Sequence, residues 1–276
     1  MSITWRSDAP PPVVARTRGH WARILWRGGR IALVIGAGVV ATLLLRGPER
    51  AIHGAGRPWT QPVTVFVMGR IVAILGLTLE VEGTPMAGPG AVVSNHVSWL
   101  DIFVLNARKR VYFVSKAEVA GWPGIGFLAR LIGTVFIRRE AREARAQTEA
   151  LAARLAAGHR LLFFPEGSST DGLRVLPFRS TLFEALRGLG AGVMVQPVTL
   201  IYEAPEGADA RFYGWWGDMA LGPHLAQVLG APRQGRVRMI CHAPLAVTDF
   251  PDRKTLAAAC ERAVRAAMPP EAAGRA

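Results

Sequence analysis

Fifteen consecutive uncharged apolar residues, Ile31 to Leu45 (IALVIGAGVVATLLL), lie between Arg30 and Arg46. Such a run must be buried, in a core or in lipid, and a single segment satisfies its own backbone in lipid only as a helix. It is somewhat short of the roughly twenty residues that cross a bilayer. A second apolar stretch, Pro62 to Leu79, is interrupted by Arg70. Together they predict a membrane-associated helical hairpin over 26–79. Arginine is denser before Ile31 than between the two runs, which puts the N-terminus on the cytoplasmic side of a cell inner membrane, and a hairpin returns the rest of the chain there. No small-residue cleavage motif follows the run, which argues against a signal peptide. Residues 1–25, Pro-rich, basic and aperiodic, read as an arm.

The remaining composition narrows the partners. A net charge of +13 with half the residues hydrophobic leaves nucleic acid or an anionic membrane surface as the usual choices. No base-reading or stacking motif is present, so nucleic acid is excluded and membrane lipids are expected. Cys241 and Cys260 fall in strand-like and helix-like segments, which implies no disulfide framework.

From Glu80 the pattern changes. Short β-rich runs (GAVVSN, RVYFVSK, GTVFIRR, HRLLFFPEG, GVMVQPVTLIY, RVRMICHAPLAV) alternate with helical ones (EAREARAQTEALAARLAAG, PDRKTLAAACERAVRAAM). This predicts an α/β domain over 80–268, with a mostly parallel central sheet flanked by helices and a tail over 269–276. Sites in such sheets gather at the carboxyl ends of strands. Asn95 and His96 follow one strand-like run, and Glu166 and Gly167 follow another.

His96 and Asp101 are five residues apart, about 140° around a regular helix, so they meet only if His96 precedes the helix. Ser98-x-x-Asp101 resembles a capping box with Ser98 as N-cap, which lets Asp101 reach back to the imidazole. A carboxylate there fixes the tautomer and stabilises the imidazolium of a general base. Without the base, the same residues would be a cap and a packed ring. Arg138 and Arg139 end a strand, where alternation sends one to each face; one could meet a phosphate, and the plain alternative is a solvated charge pair. No G-x-S-x-G elbow, activated cysteine, metal-ligand spacing or Walker motif occurs. A base without a nucleophile points to direct attack by a substrate hydroxyl on an activated acyl group.

Four blocks in order, NHVSWLD, GTVFIRR, FPEGSST and VQPV, resemble those of the glycerolipid acyltransferases typified by 1-acylglycerol-3-phosphate acyltransferases. The likeness runs from about Glu80 to Tyr202. It implies His96 as the base, Asp101 as its partner, and Asn95, Glu166, Gly167, Ser168 and Ser169 in acceptor-binding blocks, with Arg139 toward an acceptor phosphate. It implies a membrane-bound enzyme of phospholipid biosynthesis that makes phosphatidate from a lysolipid acceptor. The donor is a coenzyme A or acyl carrier protein thioester, with no cofactor and no metal. One departure bears on the acceptor. The third block usually reads Thr-Arg-Ser and here reads Ser168-Ser169-Thr170. Either Lys116, Arg138, Arg139 or Arg179 compensates for the missing arginine, or the acceptor is lyso-ornithine lipid, whose cationic head group Asp171 would suit.

Overall fold

The computed structural model describes residues 4–7, 9–12, 17–88, 90–138, 144–187 and 192–269. Helix α1 (His20–His53) contains the first apolar run and is long and apolar enough to cross a membrane. Leu33, Val40, Leu43 and Leu44 on it are exposed. Its first turns are fastened to the protein. Arg23 and Arg27 donate to the carbonyls of Leu229, Gly230 and Ala231, at the end of helix α7 (Leu221–Gly230).

The second apolar stretch packs one face into the protein core. It forms α2 (Thr60–Leu75), antiparallel in chain order to α1 and packed on it, so a helical pair exists. A Cβ on Gly38 would come within 2.5 Å of Val67, so glycine sets how closely α1 and α2 approach. Yet Val67, Met68, Ile71, Val72 and Leu75 belong to the main core beside strand residues Val92, Phe113 and Leu200. Each such side chain is worth about 1.5–3 kcal/mol when fully buried. That burial ties this face of α2 to the protein core, while Phe66 on the helix is exposed. The last residues of the stretch, Thr78 and Leu79, are not helical at all. They open strand β1 (Thr78–Glu82).

The other strands are β2 (Gly90–Ser94), β3 (Tyr112–Lys116), β4 (Val135–Ile137), β5 (Arg160–Phe163), β6 (Met194–Glu203), β7 (Arg236–Cys241) and β8 (Leu245–Ala246). Their order is β1-β7-β6-β2-β5-β3-β4, with β8 beside β6. The pairs from β6 through β2, β5 and β3 to β4 are all parallel, whereas β7 and β8 run antiparallel to β6. The fold is the mostly parallel α/β sheet expected. Helices α3 (Leu100–Asn106), α4 (Ile125–Ile132), α5 (Ala144–Ala156), α6 (Glu184–Arg187) and α8 (Arg253–Ala266) surround it. Asp252 and Thr255 form a reciprocal capping box at the start of α8. Cys241 and Cys260 are free and buried.

This topology positions the site. Because β2, β5, β3 and β4 are parallel, His96, Glu166, Lys116 and Arg138 all lie at or just beyond the carboxyl ends of strands on one sheet edge.

Candidate active site

β2 ends at Ser94 and α3 starts at Leu100, so His96 lies in the turn between them. The Asp101 carboxylate, fully buried in the first turn of α3, reaches back across that turn. Its Oδ2 lies 2.7 Å from His96 Nδ1 and accepts the Val97 and Ser98 amides at 2.8 and 3.1 Å. Its Oδ1 accepts the Tyr202 hydroxyl at 2.8 Å. A carboxylate only accepts, so Nδ1 carries the ring proton and Nε2 is left with the lone pair. The ring stacks on Phe164 at 3.9 Å between centroids and keeps 22 % of its side-chain surface open. Orientation, tautomer and access are therefore fixed by separate contacts. Burial, followed by the Asp101 charge, raises the Tyr202 phenol well above its ordinary range, so it remains a donor.

The capping box is half formed. Asp101 accepts the Ser98 amide, but the Asp101 amide goes to the Ser98 carbonyl and the buried Ser98 hydroxyl has no partner among the described residues. Trp99, already in the helical region at φ −57°, takes the N-cap place. The side chain that matters for His96 is the aspartate, not the serine.

Glu166 braces the same turn from below. Its Oε1 accepts the His96 amide and its Oε2 the Leu176 amide, both at 2.6 Å. Burial pushes its carboxyl up to about 8 against those two amide bonds, which act to lower it. The folded state thus holds this proton where the unfolded chain, at 4.5, has released it. The contribution of Glu166 to stability is fully present below about 4.5 and is lost as pH rises toward about 8. Glu166→Gln has one acceptor for two amides, so its NH₂ must face an N–H. We expect a loss of about 1–3 kcal/mol, the cost of an unsatisfied buried donor, and a flatter unfolding-midpoint profile between pH 5 and 8. An unchanged profile would count against a buried proton on Glu166.

Three further candidate positions have partners within the protein. Asn95 is fully buried and spends its amide on Leu200, donating to its carbonyl at 2.9 Å and accepting its N–H at 2.8 Å. Its side chain ties the turn to β6. Ser168 Oγ accepts the Trp5 amide at 3.0 Å, and Ser169 Oγ donates to the Trp215 carbonyl. Both hydroxyls serve the loop. Asp171, 2 % exposed, is held by Arg174 through both oxygens at 3.1 and 3.0 Å, so it has no free charge for an ammonium head group. Gly167 turns the chain at φ 76°. Lys116 closes β3 level with Ile137, and exposed Arg138 follows it. Arg139 lies outside the described residues.

Sequence reasoning missed Tyr202, Phe164 and the docked arm. Trp5 rests tilted against Trp216 and under the Arg174 guanidinium, 4.8 Å from its ring. The loops it touches are bonded to the His96 turn, Thr170 N–H to the His96 carbonyl and Trp215 N–H to that of Val97, both at 2.9 Å. Tyr202 had a signal: from Val198, opposite Ser94, alternation carries Leu200 and Tyr202 along the same face.

An acyltransferase family model matches residues 78–201. A lyso-ornithine lipid O-acyltransferase of Rhodobacter capsulatus is 56% identical over 266 residues, 96% of each chain. The chain belongs to the acyltransferase family. The acyltransferase is also 32% identical to a 1-acyl-sn-glycerol-3-phosphate acyltransferase of Neisseria meningitidis, over 81% of this chain and 87% of that one. The crystal structure of the 1-acyl-sn-glycerophosphate acyltransferase PlsC from Thermotoga maritima shares its fold, with a TM-score of 0.55 at 20% identity over 86% and 94% of the two chains. With its exposed apolar helix and lipid-acylating relatives, this acyltransferase is membrane-associated.

Proposed function

We propose that the enzyme transfers a fatty acyl group from an acyl thioester to the free hydroxyl of lyso-ornithine lipid. The observation that carries this acceptor is the 56% identity, over 96% of both chains, to an enzyme of that name. The third block supports it. Ser169, in place of the usual arginine, turns its hydroxyl to a carbonyl, and so supplies no charge-assisted grip on a phosphate. 1-Acylglycerol-3-phosphate, the acceptor implied by the sequence blocks, becomes the second reading; relatives of that name at 32% identity favour it.

In the proposed reaction His96 Nε2 removes the acceptor hydroxyl proton as the oxygen attacks the thioester carbonyl. Asp101, bonded at Nδ1, stabilises the imidazolium that forms. Collapse of the tetrahedral intermediate makes the ester and breaks the carbon–sulfur bond. The thiol leaves with the proton that His96 held. The reaction balances with no cofactor and no metal, and either coenzyme A or acyl carrier protein can carry the thioester. Lys116 and Arg138, near the same strand ends, would meet an anionic part of acceptor or donor. The enzyme works at the inner membrane with His96 on the cytoplasmic side, where acyl thioesters are made.

A paired assay tests the acceptor. Full-length protein in detergent, beside His96→Ala, receives a long-chain acyl thioester with lyso-ornithine lipid or lysophosphatidate. We expect ornithine lipid, at a kcat/KM at least tenfold above that for phosphatidate formation. Preference for lysophosphatidate would reverse the assignment, and free fatty acid alone would make the protein a hydrolase.

A further inference from the structure

A second concentration of charge lies at the opposite edge of the sheet. Arg46 and Arg50 from the end of α1, Arg57 from the turn before α2 and Arg154 from α5 line a cavity of about 530 Å³. The rest of its wall is glycine and alanine, and no carboxylate lines it among the described residues. Arg57 and Arg154 both lie over the Tyr112 ring, at 6.0 and 5.9 Å from its centroid. Tyr112 opens β3 level with Leu161, and Leu161 is level with Ala91, five residues before His96. At about 3.3 Å per residue the two sites are offset by roughly 16 Å along the strands, with two interstrand steps between them.

Four guanidinium groups around one cavity repel each other unless an anion joins them. Arg46 has a partner: Glu49, which also accepts the Trp59 and Thr60 amides and the Thr60 hydroxyl at the start of α2. Arg57 gives one nitrogen to the Leu131 carbonyl at 2.8 Å, while its buried Nε has no partner among the described residues. Neighbouring His159 registers the field. Burial first, then Arg154, Arg57 and Arg46, push its imidazole down to about 4. Basic residues near helix C-termini are common, which accounts for Arg50 and Arg154 singly. It does not account for two helix ends and Arg57 converging on one cavity.

Arg46 and Arg50 follow Leu45, where the apolar run of α1 ends and a membrane-embedded helix would emerge among head groups. We propose that this cavity binds the phosphate of a phospholipid head group. The proposal rests on the membrane reading of α1 and is independent of the acceptor. Bound lipid clamps the end of α1 to α5 and sets the depth and tilt of the catalytic domain.

Titrating the full-length protein in detergent with dihexanoyl phosphatidylglycerol, and separately with sodium phosphate, tests it without reading acyl transfer. We expect saturable lipid binding whose Kd rises at least tenfold in Arg50→Gln/Arg154→Gln. It should stay within twofold in Arg233→Gln/Arg262→Gln, which removes the same charge from exposed positions elsewhere. Should the cavity pair fold poorly, exposed Arg50→Gln alone carries the test, with at least a threefold rise. Absence of saturable lipid binding, equal loss in both pairs, or equally tight binding of inorganic phosphate would overturn the proposal. Failure of the wild type to float with phosphatidylglycerol vesicles would instead remove the membrane reading.

Discussion

Replacing His96 by alanine is expected to lower turnover by about 10²- to 10⁴-fold, the range for loss of a positioned general base. Its neighbours make the substitution clean. The ring is partly open and bonds through Nδ1 to Asp101. Without it, Asp101 still accepts the Val97 and Ser98 amides and the Tyr202 hydroxyl. The His96 amide still reaches Glu166, since that bond needs no side chain. The turn should therefore persist, with an unfolding midpoint within a few degrees of wild type, and the lost rate can be assigned to chemistry. Steady-state kcat at saturating acceptor and thioester is the measurement. A loss below tenfold would take His96 out of the base role.

The same contacts explain which parts of the site could be seen in the chain. His96 and Asp101 were legible because a five-residue spacing cannot close within a helix, so their pairing required a turn before α3. Tyr202 was harder, being 101 residues from Asp101, and its approach depends on the register of β6 against β2. The partner of Asn95 was not legible, because adjacency to His96 does not say which way its side chain turns. In a strand exit, neighbouring side chains point opposite ways, and that of Asn95 turns inward to Leu200. Ser168, Ser169 and Asp171 had partners that no local pattern announces: the arm, the Trp215 carbonyl and Arg174. The α/β sheet was legible from alternation. The fate of α2 was not, because a core and a lipid tail look equally apolar to a sequence. What decides is the presence of α3 and the strands against Ile71 and Leu75.

Asp101→Asn separates two roles that a carboxylate performs at once. An asparagine has one oxygen and one NH₂ where the aspartate serves four donors. Three of those donors, the His96 ring and two amides, meet Oδ2, and only the Tyr202 hydroxyl meets Oδ1. Placing NH₂ at the Oδ2 position would set it against two amide hydrogens. Placing it toward Tyr202 costs less, since the hydroxyl can rotate and accept and forfeits only its own donation. The oxygen should therefore face His96, and the tautomer with hydrogen on Nδ1 should survive. What disappears is the negative charge beside the forming imidazolium. Two charges about 4 Å apart at an effective dielectric near 20 interact by about 4 kcal/mol, so turnover should fall by at most about 10³-fold. That is less than the loss of about 10⁴ seen in serine proteases when the equivalent exchange flips the tautomer. Nitrogen-15 NMR of the His96 ring reads the tautomer directly, and kcat reads the charge. A loss above 10⁴ with hydrogen on Nε2 would show that the amides do not orient the asparagine. Unchanged turnover would leave Asp101 as a cap on α3 and move imidazolium stabilisation to another group.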